Sequence, residues 1–163
     1  MKASNFRKKH KNMPYTRKKY MGGIPGSKIV RFTMGNPNGD FSSRVELVGL
    51  KSGQIRHNAL EASRIAANRL MESEVGRNNY LLRVVPYPHQ VLREHKRVNV
   101  AQADRFQEGM KKAYGKPVGV AARVDRGDKI MVAEIDEPHL TQAQKALKRA
   151  ADKLPVPCRV FVH

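Results

Sequence analysis

The sequence predicts an α+β domain: two helices packed on a mixed, mostly antiparallel sheet, with a basic N-terminal arm and a long basic internal loop. Two stretches, 52–74 and 137–154, carry apolar residues at helical spacing. About six short β-prone runs, bounded by Gly, Pro and Asn, are interspersed with them. The positive charge sits apart from both. The chain of 163 residues holds 32 Lys+Arg against 14 Asp+Glu, a formal net charge of +18. Residues 1–39 carry ten of the basic residues and no carboxylate, and residues 95–119 carry six basic and two acidic residues. The remainder, 40–94 and 120–163, is close to neutral.

The elements follow in order. The arm, 1–27, is irregular, because Pro14, Gly22, Gly23, Pro25 and Gly26 break any helix. Ile29–Met34 reads as a short strand, followed by a Gly-Asn-Pro-Asn-Gly loop at 35–39. Arg44–Leu50 is β-prone. A helix opens at Ser52 or Gly53 and runs to about Glu74, with Ile55, Ala59, Ala62, Ala66 and Leu70 as its apolar line. Arg56, Arg64 and Arg69 project away from that line. Gly76 ends the helix. Tyr80–Tyr87 is a Leu/Val-rich strand stopped by Pro86 and Pro88.

The loop 95–119 is longer than the ~12–15 residues of an ordinary connection. Val118–Asp125 and Lys129–Ile135 read as a hairpin about Arg126-Gly127. Glu137-Pro138 starts the second helix, with Leu140, Ala143, Leu147, Ala150 and Leu154 facing the core. Cys158–His163 closes as a strand. The whole, 1–163, forms one domain with two appendages.

Dense, unbalanced charge repels itself until a polyanion neutralises it, so nucleic acid is the expected partner. The competing reading, a solubilising tail, does not require ordered text such as Tyr15-Thr16-Arg17 or Gly23-Ile24-Pro25-Gly26. Aromatics make up 6% of the chain and Trp is absent, so a stacking platform for bases is not the obvious reading. The single cysteine, Cys158, excludes an internal disulfide and a Cys-pair metal site, and reads as a buried strand residue. No run approaches the ~20 apolar residues of a membrane span. The basic start has no apolar h-region and too little amphipathicity for an import presequence, so a cytoplasmic protein is expected.

No catalytic set stands out, and the chain reads as a non-enzyme needing neither cofactor nor metal. Gly22-Gly23-Ile24-Pro25-Gly26-Ser27-Lys28 lacks the Gly-Lys-Ser/Thr order of a phosphate loop, although its backbone and Lys28 can cradle a phosphate of a larger nucleic acid. His89, Glu94 and His95 lack metal-ligand spacing. No serine sits in a Gly-x-Ser-x-Gly elbow. Arg126-Gly127-Asp128 is a turn.

Several segments carry a resemblance. They are Pro14-Tyr15-Thr16-Arg17 with Tyr20; Gly23-Ile24-Pro25-Gly26-Ser27-Lys28-Ile29; Leu60-Glu61-Ala62-Ser63-Arg64; Ala67-Asn68-Arg69; and Pro88-His89-Gln90-Val91-Leu92-Arg93-Glu94. The strongest are Ala103-Asp104-Arg105, Gly109-Met110, Ala113-Tyr114-Gly115-Lys116-Pro117 and Ala122-Arg123-Val124. In this order they resemble the archaeal large-subunit ribosomal protein family "L-ten-e", counterpart of the bacterial "L-sixteen". Lys2–Asn12 and Asn36–Ser43 match it poorly, and the chain's end after its last strand favours the archaeal type.

The resemblance implies an α/β hammerhead-like fold and a place between the central protuberance and the stalk base. It implies contact with large-subunit rRNA, with 5S rRNA as a further candidate, and with neighbouring large-subunit proteins. It implies a loop that points toward the peptidyl-transferase centre and the A/P-site tRNA, and late joining to the subunit. No membrane and no homo-oligomer are expected.

On this reading the rRNA-binding residues are Arg17, Lys18, Lys19, Lys28 and Arg31 from the arm, Arg64 and Arg69 from the first helix, and Arg93, Lys96 and Arg123. The tRNA-proximal residues are Arg97, Arg105, Lys111, Lys112 and Lys116. The alternative is a free-standing nucleoid protein, which would bind duplex DNA as well as RNA.

Overall fold

The computed structural model describes residues 13–95 and 115–163. Two helices and eight strands carry the fold among them. The strands are β1 (Thr33–Gly35), β2 (Ser43–Gly49), β3 (Gly53–Arg56), β4 (Tyr80–Val84), β5 (Gln90–Glu94), β6 (Lys116–Val124), β7 (Lys129–Ile135) and β8 (Cys158–Val162). The helices are α1 (His57–Glu74) and α2 (Leu140–Ala151), the latter led in by a 3₁₀ turn at Glu137–His139 with Pro138 in its first turn.

The strands form two antiparallel sheets, ordered β1-β4-β7-β2-β8 and β3-β6-β5. The expected hairpin is corrected here. β6 and β7 are joined by a tight turn, with the Asp128 N–H donating to the Asp125 carbonyl, but they lie in different sheets. The reason is that both edges of each strand are taken. β7 pairs with β4 and β2, and β6 with β3 and β5. Alternating apolar text reports a buried strand face; it does not name the neighbour.

The expected start of α1 is also corrected. Residues 53–56 are strand, and the helix begins at His57. Ile55 is therefore a fully buried residue of β3, and the buried face of α1 is Leu60, Ser63, Ala67, Leu70 and Met71, leaving Ala62 exposed. A helical line begun on a strand residue carries the wrong phase through every later turn.

The expected face of α2 holds: Ala143, Leu147 and Ala150 are fully buried, with Leu140 and Leu154 packed beside them. The helices pack on each other, α2 against β2, β7 and β8, and α1 against β3, β4 and β6. Thus α1 touches both sheets. Small residues at Ser63, Ala67, Ala143 and Ala146 allow that close approach.

Val45, Leu47, Leu82, Met131, Ala133 and Ile135 fill the sheet side of the core. Tyr80, 1% exposed, donates its hydroxyl to Asn68 Oδ1 at 2.8 Å and so ties β4 to α1 with its polar end satisfied. Cys158 is half-buried in β8; burial pushes its thiol up to about 11, so it stays a protonated structural residue.

Candidate nucleic-acid interface

The arm is tied to the core at three places. The Tyr15 N–H donates to Gln90 Oε1 at 2.8 Å, and the Val91 N–H returns a bond to the Tyr15 carbonyl at 3.1 Å. The Lys28 N–H donates to His57 Nδ1 at 2.8 Å. The Val84 N–H donates to the Phe32 carbonyl at 2.8 Å, while Phe32 stacks on Tyr87 with centroids 5.6 Å apart. Ile29, 2% exposed, plugs into the core between these ties. The expected strand at Ile29–Met34 is shorter, at Thr33–Gly35, because residues 29–32 are spent on plug and ties.

His57 is the first residue of α1 and is buried. Because Nδ1 accepts from Lys28, the ring proton belongs on Nε2. Burial pushes its pKa below the ordinary imidazole value, and the nearby Arg56 and Lys28 cations push the same way. A neutral ring thus clips the arm to the helix start. Gly119 lets the ring sit close, since a side-chain carbon there would stand 3.2 Å from His57 Nε2 and the ring would have to shift.

Between the ties the arm forms a 3₁₀ turn at Lys18–Tyr20, preceded by Arg17, and all four side chains are exposed. The turn faces the root of the loop. The β5–β6 pairing carries a bulge between Leu92 and Arg93. Bulges re-aim side chains, and the Arg93 guanidinium lies over the Tyr15 ring, 4.7 Å from its centroid. Gly115, at φ +81, brings the chain back against the Glu94 backbone, where a side chain would collide. Tyr20 to Gly23 of the arm, Arg93 of β5 and Gly115 to Pro117 enclose an open groove of about 370 Å³.

The structure therefore gathers Arg17, Lys18, Lys19, Arg93 and Lys116 at one end of the molecule. Lys28 lies by the His57 clip, Arg31 is exposed next along the arm, and Arg69 is exposed on α1. Arg64 is different. It pairs with Glu61 through Nη2–Oε1 at 2.6 Å and Nε–Oε2 at 2.9 Å, a fork that pushes the Arg64 pKa up and the Glu61 pKa down. Most of its charge is matched within the helix. Arg123 is half-buried on β6 opposite Gln54. Lys96, Arg97, Arg105, Lys111 and Lys112 lie outside the described residues.

Sequence reasoning does not find Gln90 or His57 as arm ties, because their partners stand 75 and 29 positions away. Glu46 also escapes it. This carboxylate is 3% exposed and bonds Lys129 Nζ at 2.6 Å, Arg44 Nε at 2.9 Å and His163 Nε2 at 3.6 Å. Burial alone would raise its pKa, but the Lys129 hydrogen bond and the surrounding cations outweigh it and hold the carboxyl below its ordinary value. Among the described residues no group of His, Cys, Asp and Glu is arranged to hold a metal ion, and no helix is long and apolar enough to cross a membrane.

The fold and site define a class: a near-neutral α+β core that carries a docked basic arm and the root of a basic loop side by side. The particular family follows from comparison. The family model for ribosomal protein L16p/L10e matches residues 2–161. The chain is similar to the "Large ribosomal subunit protein uL16" of Staphylothermus marinus, at 52% identity over 90% of this chain and 84% of the relative. It is similar to the protein of the same name from Thermoplasma volcanium, at 51% over 91% and 84%, and from Methanocella arvoryzae, at 46% over 99% and 94%. The chain belongs to the ribosomal protein L16p/L10e family, of archaeal type, and is a structural, non-enzymatic constituent of the large ribosomal subunit.

Proposed function

We propose that this chain binds large-subunit rRNA through two basic probes that leave the core at the same end, the arm and the loop 95–119. The observation that carries the reading is the juxtaposition of the arm turn with the loop root, where Tyr15 is held between Gln90 and Arg93. Arg17, Lys18, Lys19, Lys28, Arg31, Arg69 and Arg93 contact rRNA phosphates, which supplies affinity without reading sequence. Arg64, paired with Glu61, contributes less. The core lies between the central protuberance and the stalk base, with 5S rRNA and neighbouring large-subunit proteins within reach. The loop, with Arg97, Arg105, Lys111 and Lys112 and with Lys116 at its root on β6, extends toward the peptidyl-transferase centre and the A/P-site tRNA. The chain joins the subunit late in assembly.

Deleting residues 97–113 tests the division of labour. The account expects subunits that still incorporate the protein and are impaired in peptide synthesis. Normal synthesis by subunits carrying the deletion would overturn the loop's role, and failure to incorporate would overturn the assignment of anchoring to the arm and core.

A further inference from the structure

The groove between the arm turn and the loop root has features that phosphate binding alone does not use. Tyr20 stands on its wall with 69% of its surface exposed, an unusual posture for one of only five tyrosines. Lys19 Nζ lies 5.9 Å from the ring centroid, which gives the ring a cation at one side. Met21 and Pro117 add apolar wall, and Arg93 and Lys116 stand at the rim.

The wall is also left bare without an internal reason. Gly22 has no positive φ, and a side-chain carbon built on it meets nothing within 4 Å. Among the described residues, neither backbone conformation nor packing calls for glycine at Gly22. A ligand that approaches the backbone closely does. The open groove, about 370 Å³, has room for one nucleotide.

We propose that this groove holds one unstacked nucleotide of the large-subunit rRNA, with its base on Tyr20 and its phosphate on Arg93 and Lys116. The proposal rests on the rRNA-binding reading above and adds to it a contact with a base. Single-stranded loops and bulges present such bases, and an exposed aromatic flanked by cations is the surface that takes them. The occupant is rRNA rather than tRNA because the wall is the arm hydrogen-bonded to the core, and not the tip of the loop.

The test uses the full chain and deproteinised large-subunit rRNA, with affinity measured across a series of salt concentrations and unpaired bases probed chemically. Tyr20 is exposed, so Tyr20→Leu leaves the fold intact, and Gly22→Val provides an independent obstruction of the same groove. The proposal expects each to weaken binding about tenfold or more, Tyr20→Leu with an unchanged salt slope because it removes no phosphate contact. Lys116→Gln should lower the salt slope by about one. One rRNA base protected by the wild-type chain should become reactive in both groove variants. Unchanged affinity in Tyr20→Leu and Gly22→Val would overturn the groove while leaving the phosphate reading in place. Protection that appears only when tRNA is added would overturn the choice of rRNA. A wild-type chain that binds rRNA no better than duplex DNA would overturn the reading on which the proposal rests.

Discussion

The His57 clip should make arm docking sensitive to pH. The neutral ring accepts the Lys28 N–H at Nδ1, and a protonated ring has no lone pair left to accept it. The folded-state pKa of His57 is depressed by burial and by Arg56 and Lys28. The unfolded chain therefore binds this proton more readily, and stability is lost as pH falls below the unfolded value of about 6.5 toward the folded one. One proton gives a ceiling of about 1.4 kcal/mol per pH unit within that window. Loss of the Lys28 hydrogen bond sets the expected scale, about 1 kcal/mol, or about 3 °C in Tm for a domain of this size.

His57→Asn supplies the comparison. Its side-chain oxygen stands near the Nδ1 position and accepts at every pH, at a cost of about 1–2 kcal/mol in ring packing. Urea unfolding of both proteins across the window should show a declining wild type and a variant whose decline in the window is smaller by the His57 contribution. The difference between the two proteins isolates the His57 contribution. Protection factors at the Lys28 and Val91 amides, taken against the intrinsic exchange rate at each pH, should fall first in the acidified wild type. Parallel stability curves for the two proteins would refute the clip.

Three further outcomes follow from the packing. Gly35→Ala should destabilise by about 1–3 kcal/mol in urea unfolding, because Gly35 sits at φ +88 and a side-chain carbon would collide with the Tyr80 carbonyl oxygen. Glu46→Gln should lower the urea midpoint at neutral pH by loosening Lys129 and Arg44, and should reduce the loss of stability that the wild-type carboxylate causes as pH falls below about 4.5. Leu147→Ala should cost about 2–5 kcal/mol, since Leu147 is fully buried in α2, and thermal unfolding reads it directly.

Much of this was legible in the sequence, for physical reasons that can be named. Helix α2 is legible because its apolar face is one unbroken helical line from Leu140 to Leu154 that starts behind Pro138. The separation of charge from core is legible because carboxylates are simply missing from residues 1–39. β3 is not legible: Gly53–Arg56 is four residues long, abuts α1 without a turn, and donates Ile55 to a pattern that reads as helix. β5 is hidden because Gln90 and His89 look like loop text, while the strand is held by β6 and by the arm. The division into two sheets is hidden because a tight turn at Asp125–Asp128 is what a hairpin also requires, and only the pairing of distant strands separates the cases. The site divides the same way. Its cations announce themselves by density, whereas Tyr20, His57 and Gln90 gain their roles from contacts made across the fold.

The most direct test of the central claim is sedimentation of a source-organism lysate through a sucrose gradient, with the fractions probed for this chain. The account predicts that the chain travels with the large subunit and stays there through a moderate salt wash. A chain that remains at the top of the gradient, or travels with the nucleoid, would contradict it.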